Sequence, residues 1–418
     1  MTETQEQVAT LSRHRVNLAI AAAALGGFAI GTTEFVTMGL LPDIADSLDL
    51  TIPMAGHAIS AYALGVVVGA PLIAVIGAKL PRRAMLVGLM VLFGLGNLAT
   101  AAAQGHVGLI AARFVAGLPH GAYFGVAALV AASLVVEERR ARAIAASMLG
   151  LPIANVLGVP AATWLGQVAG WRSAYVAIAL IGAVAAVAVL VWIPHQPPCL
   201  DATARRELSA LRQRQVWLTL AVGTVGFGGM FAMYSYISPT MTGLADLDEK
   251  WMPIILASYG LGMVAGIVLG GRIVDRSVRR SLVGSIIAMG GLLAAFTVAA
   301  HNAVTASIAL FLTAVAASVL VLALQVRLMD VADHAQTLAA TLNHAALNAA
   351  NALGAWLGGL VIAVGWGYTA PSWVGVGLAA AGLVVLTYSL AIERRASAPR
   401  PTPRPRRRRR RRSPRARR

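Results

Sequence analysis

Long uncharged runs recur along the whole chain, and they limit its fold more than any other feature. One of them, SAYVAIALIGAVAAVAVLVWI over residues 173–193, has no charged side chain. About 20 apolar residues in a helix cross the ~30 Å hydrocarbon core of a bilayer. Backbone groups at that depth must be satisfied internally, which leaves helices or a closed barrel. The runs are continuous rather than alternating, so the barrel pattern is absent. Composition agrees: 58% of residues are hydrophobic and 12% charged, against about 25% charged in a soluble domain. Mean hydropathy is +0.73. The chain reads as an all-α membrane protein.

Apolar windows between charged or Pro/Gly breaks predict twelve helices, near 16–41, 54–78, 84–104, 107–134, 143–168, 172–194, 215–240, 252–274, 281–300, 303–328, 337–364 and 370–391. The first run continues to Leu41, too long for a signal-peptide core, and is expected to be an uncleaved span. Basic residues set the expected orientation. All but Arg113, Arg172 and Lys250 of the 34 Lys and Arg fall in one set of connections or at the termini, which this rule places in the cytoplasm. The opposite connections hold Asp43, Asp46, Asp49, Asp246, Asp248 and Glu249.

The longest connection, residues 195–214, divides a bundle over 1–194 from one over 215–392. Three landmarks repeat across it. ANVLG at Ala154–Gly158 returns as ANALG at Ala350–Gly354, Gly170-Trp171 returns as Gly365-Trp366, and AKLPRR at Ala78–Arg83 aligns with DRSVRR at Asp275–Arg280. The offsets are within a residue of 196, so the halves read as a duplication. Parallel six-span halves place a substrate site near the midplane between them.

The motifs carry a family resemblance. GTTEF…GLLP in the first span, Gly271, Asp275, Arg276, Arg279 and Arg280 in a G-x-x-x-D-R-x-x-R-R loop, and ARFVAGLPHG around Arg113 resemble the major facilitator superfamily. So does GLPIANVLGVP with Gly158 and Pro160. Within it they are similar to the drug:proton antiporter branch, and most to arabinose-efflux-permease-type and chloramphenicol exporters. The resemblance implies twelve helices in two pseudo-symmetric bundles and proton-driven export of small organic molecules by alternating access. It further implies gating roles for these loop residues, and no cofactor beyond the proton. It also implies a location in the bacterial inner membrane. The first loop departs from the motif: Ala78 replaces its Asp and Pro81 its Gly, while Lys79, Arg82 and Arg83 remain. The expectation is that Asp275 faces Arg139 and Arg140, and that Asp330 and Asp333 supply the missing acid. Solvated charges obeying the topology rule are the simpler alternative.

Glu34 stands alone as a carboxylate within a span. Such a group costs at least a few kcal/mol at membrane depth. It lies eight residues before Pro42, about 12 Å from the helix end, and Arg113 lies about 9 Å inside its own span. The depths are similar and the resemblance places both helices against the central cavity, so pairing is expected, which offsets desolvation. Two roles follow for Glu34: a proton-coupling site, or a structural tie to Arg113.

Candidate cavity residues share helix faces: His120 and Phe124 with Arg113, then His344, Asn348 and Asn351, and an aromatic stripe of Phe227, Phe231, Tyr234 and Ser238. Tyr123, Asn155, Tyr259 and Gln325 add polar groups at depth. Buried amides and histidines also serve simply to bond neighbouring helices. The mixture suits a neutral or amphipathic small molecule. No phosphate-binding G-x-x-x-x-G-K, nucleophile elbow or metal-ligand spacing occurs, so enzymatic and ATP-driven classes are not expected. A sugar or nucleoside facilitator is the alternative of the same fold.

Net charge is +17, of which residues 393–418 carry +13 through 14 Arg and one Glu. This tail is expected to be disordered; a solvated extension is the simpler reading, and a cytoplasmic run of this kind would favour anionic lipid over specific nucleic acid. A membrane-tethered nucleic-acid protein is the remote alternative. Cys199 is the single cysteine, which excludes an internal disulfide. A monomer is expected.

Overall fold

The structure is a computed structural model that describes residues 12–77, 80–136, 139–195, 212–332 and 336–397. Among the described residues, twelve helices are long and apolar enough to cross a membrane: α1 (Arg13–Gly39), α2 (Ile52–Ile73), α3 (Arg82–Ala101), α4 (His106–Ser133), α5 (Arg142–Ala169), α6 (Trp171–Trp192), α7 (Arg214–Tyr234), α8 (Glu249–Arg276), α9 (Val278–Ala299), α10 (Ala303–Val331), α11 (Leu342–Ala363) and α12 (Ala370–Glu393). Lys79, Asp333, most of the 195–214 connection and the tail beyond Ser397 lie outside the described residues.

Packing repeats across the two halves. α2 lies on α4, α3 on α4 and α6, and α1 on α6; correspondingly α8 lies on α10, α9 on α10 and α12, and α7 on α12. Between the halves, α2 packs on α11 and α5 on α8, which is again a symmetric exchange. The backbone keeps the same register. Gly170 and Gly365, matched in sequence, have φ of 83° and 85°. Asp49 and Asp246, 197 residues apart, are the two non-glycine residues with positive φ among those described, at 53° and 49°. Each follows a short helix at one end of the bundle, Leu41–Ser47 after α1 and Ile237–Leu244 after α7.

This corrects the expected seventh span, which ends at Tyr234 rather than near 240. Pro239 has no N–H for the carbonyl four residues earlier, and Tyr236 turns out of the helix at φ −114°, ψ 22°. Its hydroxyl donates to Ala355 O on α11 at 2.7 Å. Pro42 stands in the equivalent place after α1. Ser238 therefore leaves the stripe of Phe227, Phe231 and Tyr234 and sits on the short helix.

One end of the bundle carries Arg82, Arg83, Arg139, Arg140, Arg276, Arg279, Arg280 and Arg327, and is called here the arginine end; the other is the acidic end. Arg83 donates to Leu190 O on α6. Asp275 is exposed and, among the described residues, makes no ion pair with Arg139 or Arg140. Asp330 is likewise exposed and lacks an ion-pair partner there. Asp333 lies outside the described residues, and the ion pairs described at this end are those of Glu393 at the end of α12, 3.2 Å from Arg327 and 3.4 Å from Arg279. Arg327 also donates to Ser389 Oγ at 3.3 Å and Gln215 Oε1 at 3.5 Å. This cluster joins α7, α9, α10 and α12 at one point.

Candidate substrate and coupling site

Arg113 is fully buried on α4. Its guanidinium donates to Thr33 Oγ1 and to Thr33 O on α1, both at 3.1 Å. Thr33 Oγ1 donates onward to Asn97 Oδ1 at 2.5 Å, and Asn97 donates to Phe93 O at 2.8 Å. The guanidinium lies 4.3 Å from the ring centroid of Tyr62 and 5.5 Å from that of Tyr175. A desolvated cation over an aromatic face gains about 2 kcal/mol. Tyr175 is held by a 2.7 Å hydrogen bond to Thr37. One cation thus fastens α1, α2, α3, α4 and α6.

Glu34 is 5% exposed and lies next to Thr33 in the chain. The predicted direct ion pair with Arg113 does not form: no such contact lies within 4.0 Å among the described residues. Depth was matched, since Arg113 meets the adjacent residue, but consecutive helical residues point about 100° apart. The Glu34 carboxylate remains within electrostatic reach of Arg113 and Tyr62, and of Tyr259 in the opposite half.

Phe35 meets an aromatic group from the second half. Its ring lies 6.4 Å from Phe231, 6.0 Å from Tyr234 and 6.3 Å from Tyr259, and the two tyrosines stack at 3.9 Å. The Tyr234 hydroxyl is buried without a partner, and the Tyr259 hydroxyl donates to Met230 Sδ at 3.2 Å. Asn155 sits in a wide turn, Ala154–Gly158, where the Val159 N–H reaches back to Ala154 O. Such single wide turns often mark functional positions. Its Nδ2 donates to Leu151 O at 3.1 Å while Oδ1 is unpartnered. Gly158 leaves room there for Thr32 and Phe28, and Pro160 follows in the first turn of the next segment.

A second group lies on α4 and α11. The Tyr62 hydroxyl is 3.1 Å from His120 Nδ1, linking this group to the Arg113 network. His120 tilts against Phe124 at 5.4 Å, and Phe124 stacks on His344 of the other half at 5.6 Å and 3°. Asn348 donates to His344 O at 3.0 Å; its Oδ1 and both polar atoms of Asn351 have no partner. Two candidates fall outside these groups. Tyr123 donates to Ala23 O at 3.0 Å and packs over Gly26, bonding α4 to α1. Gln325 accepts from Asn343 at 2.7 Å, bonding α10 to α11.

Sequence reading missed Tyr62, Tyr175, Thr33, Asn97 and Phe35. Thr33 and Thr37 share a helix face at i, i+4, and that spacing was the available signal. Tyr62 and Asn97 are single polar groups in apolar runs and give no pattern.

At the acidic end, Asp43 is half-buried between the halves, and Gln167 of α5 donates to Glu249 O at the start of α8 at 2.6 Å. Burial first, then Glu249 and Asp46, push the Asp43 carboxyl up from an ordinary 3.8 to about 6, against its own backbone N–H. The folded state therefore binds the proton more tightly than the unfolded chain. The resulting stability is complete below about pH 4 and is lost as pH rises through about 6. Thermal unfolding in detergent should show the midpoint falling between pH 4.5 and 7, with a flatter profile for Asp43→Asn; parallel profiles would refute this.

The chain's similarities match this architecture. The sequence profile of the Major Facilitator Superfamily matches residues 23–256 and 238–417. The inner membrane transport protein YdhP of Escherichia coli K12 is 39% identical over 382 residues, 91% of this chain and 97% of that protein. A chloramphenicol resistance protein of Streptomyces lividans is 34% identical over 367 residues, covering 85% and 92% of the two chains. The crystal structure of a D-xylose-proton symporter shares the fold with a TM-score of 0.71 at 16% identity, over 89% of this chain and 96% of its own. With duplicated six-helix halves and a buried polar centre between them, the chain belongs to the major facilitator superfamily and is a membrane transporter rather than an enzyme.

Proposed function

We propose that the chain exports small neutral or amphipathic organic molecules in exchange for protons, by alternating access. It does so as a monomer in the inner membrane, with both termini cytoplasmic. The observation that carries this reading is Glu34. Among the described spans every other acidic residue lies within two positions of a helix end, whereas Glu34 is deep, buried and without an ion-pair partner. A carboxylate so placed is the group available to carry a proton, and its neighbour Phe35 touches the aromatic group of the opposite half.

The halves divide the work. The position 197 residues after Glu34 is Phe231, and that after Arg113 is Leu310. Proton chemistry thus belongs to the first half, while the second contributes Phe231, Tyr234 and Tyr259 to hold an apolar or aromatic ligand. Unpartnered polar atoms of Tyr234, Asn155, Asn348 and Asn351 supply donors and acceptors without fixed charge. One proton moved through 100 mV releases about 2.3 kcal/mol, which sustains a gradient of roughly forty- to fiftyfold at about 1.4 kcal/mol per tenfold. The similarity to an inner-membrane transporter and to a resistance protein supports both location and direction.

Everted vesicles should accumulate a chloramphenicol-like probe on energisation and lose it on adding an uncoupler. Uptake that is indifferent to the uncoupler would favour the facilitator of a sugar or nucleoside.

A further inference from the structure

A groove of about 760 Å³ opens between α8, α9 and α10, away from the contact between the halves. At the arginine end its mouth carries Arg276 and Arg280, both exposed and without an ion-pair partner among the described residues. The nearby Arg279 turns instead to Glu393, and Asp275 is not in the groove lining. Below the two arginines the floor is Gly284, Ala288 and Gly291 of α9, exposed at helical spacing. No atom would meet a Cβ at Gly284 or Gly291 within 4 Å. The serine hydroxyls turn away into backbone: Ser281 donates to Ser277 O and Ile273 O, and Ser285 to Ser281 O. Leu312 and Val315 of α10 form the facing wall.

From Arg280 to Gly291 the floor runs about 16 Å at 1.5 Å per residue, about half of a ~30 Å hydrocarbon core. That is the depth of one leaflet. A trough with two free cations at the headgroup level and an apolar bed one leaflet deep matches one class of molecule in its charge and its length. We infer that this groove holds an anionic phospholipid of the surrounding bilayer. Its phosphate lies on Arg276 and Arg280, and an acyl chain lies over Gly284, Ala288 and Gly291. Paired guanidinium groups suit phosphate geometry, and basic pockets between membrane helices bind anionic headgroups. The site is separate from the Glu34–Arg113 centre and does not depend on the proposed transport reaction.

Native mass spectrometry of the full-length protein, titrated with phosphatidylglycerol or phosphatidylcholine in detergent, tests the site. Wild type should retain one phosphatidylglycerol at concentrations where phosphatidylcholine does not bind. The adduct should be lost both in the Arg276→Ala/Arg280→Ala double variant and in Gly284→Leu, whose Cβ meets no neighbour within 4 Å and whose side chain occupies the trough floor. Gly284→Leu keeps every charge, arginine tail included, so its loss of the adduct reports the groove itself. Retention in Gly284→Leu with loss in the double variant would reduce the effect to headgroup attraction and overturn the groove. Retention in both would place the lipid elsewhere, the tail included. Equal retention of phosphatidylcholine would overturn the charge requirement.

Discussion

Arg113→Lys is expected to cut transport about ten- to a hundredfold while the protein remains folded and inserted. A lysine keeps the charge but loses the planar fork. It cannot bond both Thr33 oxygens, 3.1 Å each in the native protein, while lying over the Tyr62 ring. Losing one charge-assisted hydrogen bond costs about 1.5–3 kcal/mol, and each 1.4 kcal/mol is about tenfold in rate. The loss falls on positioning, because Thr33 adjoins Glu34 and the Tyr62 hydroxyl reaches His120. Efflux from intact cells, normalised to membrane protein, measures the effect. Efflux within twofold of wild type would show that the cation's charge alone suffices.

Gly260→Leu is expected to abolish transport by a different route. A side chain at Gly260 of α8 would run into the backbone of Asn155 and Val156 on α5, across the contact between the halves. Backbone cannot yield as a flexible side chain can, so the closed contact of α5 with α8 is lost. Alternating access needs each closed face in turn, and a transporter denied one of them stops. The atoms nearest the new Cβ all belong to the opposite half, so thermal stability should fall far less than activity. A short bifunctional thiol cross-link between Gln167→Cys and Glu249→Cys, in a Cys199→Ser background, reports closure directly. It should form with Gly260 present and fail with Gly260→Leu. Efficient cross-linking in both would mean that the halves tolerate the wedge.

The twelve helices were legible because hydropathy over 20 residues averages away local detail. Ends proved less so: the seventh helix was read through Pro239, although Pro42 occupies the matching position and ends the first. The repeat already known from Gly170 and Gly365 would have predicted that break. At the site, Glu34 and Arg113 stood out as charges at membrane depth, and their depths agree. Their azimuths did not follow from depth, so a pair was expected where Arg113 instead meets Thr33. Aromatic neighbours such as Phe35 and Tyr62 were hidden for another reason. In a chain 58% hydrophobic, an inward-facing ring and a lipid-facing one look alike until helices are packed.

Substrate-induced proton release from proteoliposomes, with wild type and Glu34→Gln side by side, tests the central claim most directly. The substitution keeps the size of the side chain, stands in for the neutral protonated carboxyl, and removes its ability to release a proton. The account predicts that a chloramphenicol-like compound transported by wild type releases protons there, and that Glu34→Gln binds it but releases none. Normal proton release by Glu34→Gln would contradict the account and leave Glu34 as a structural neighbour of the Arg113 network.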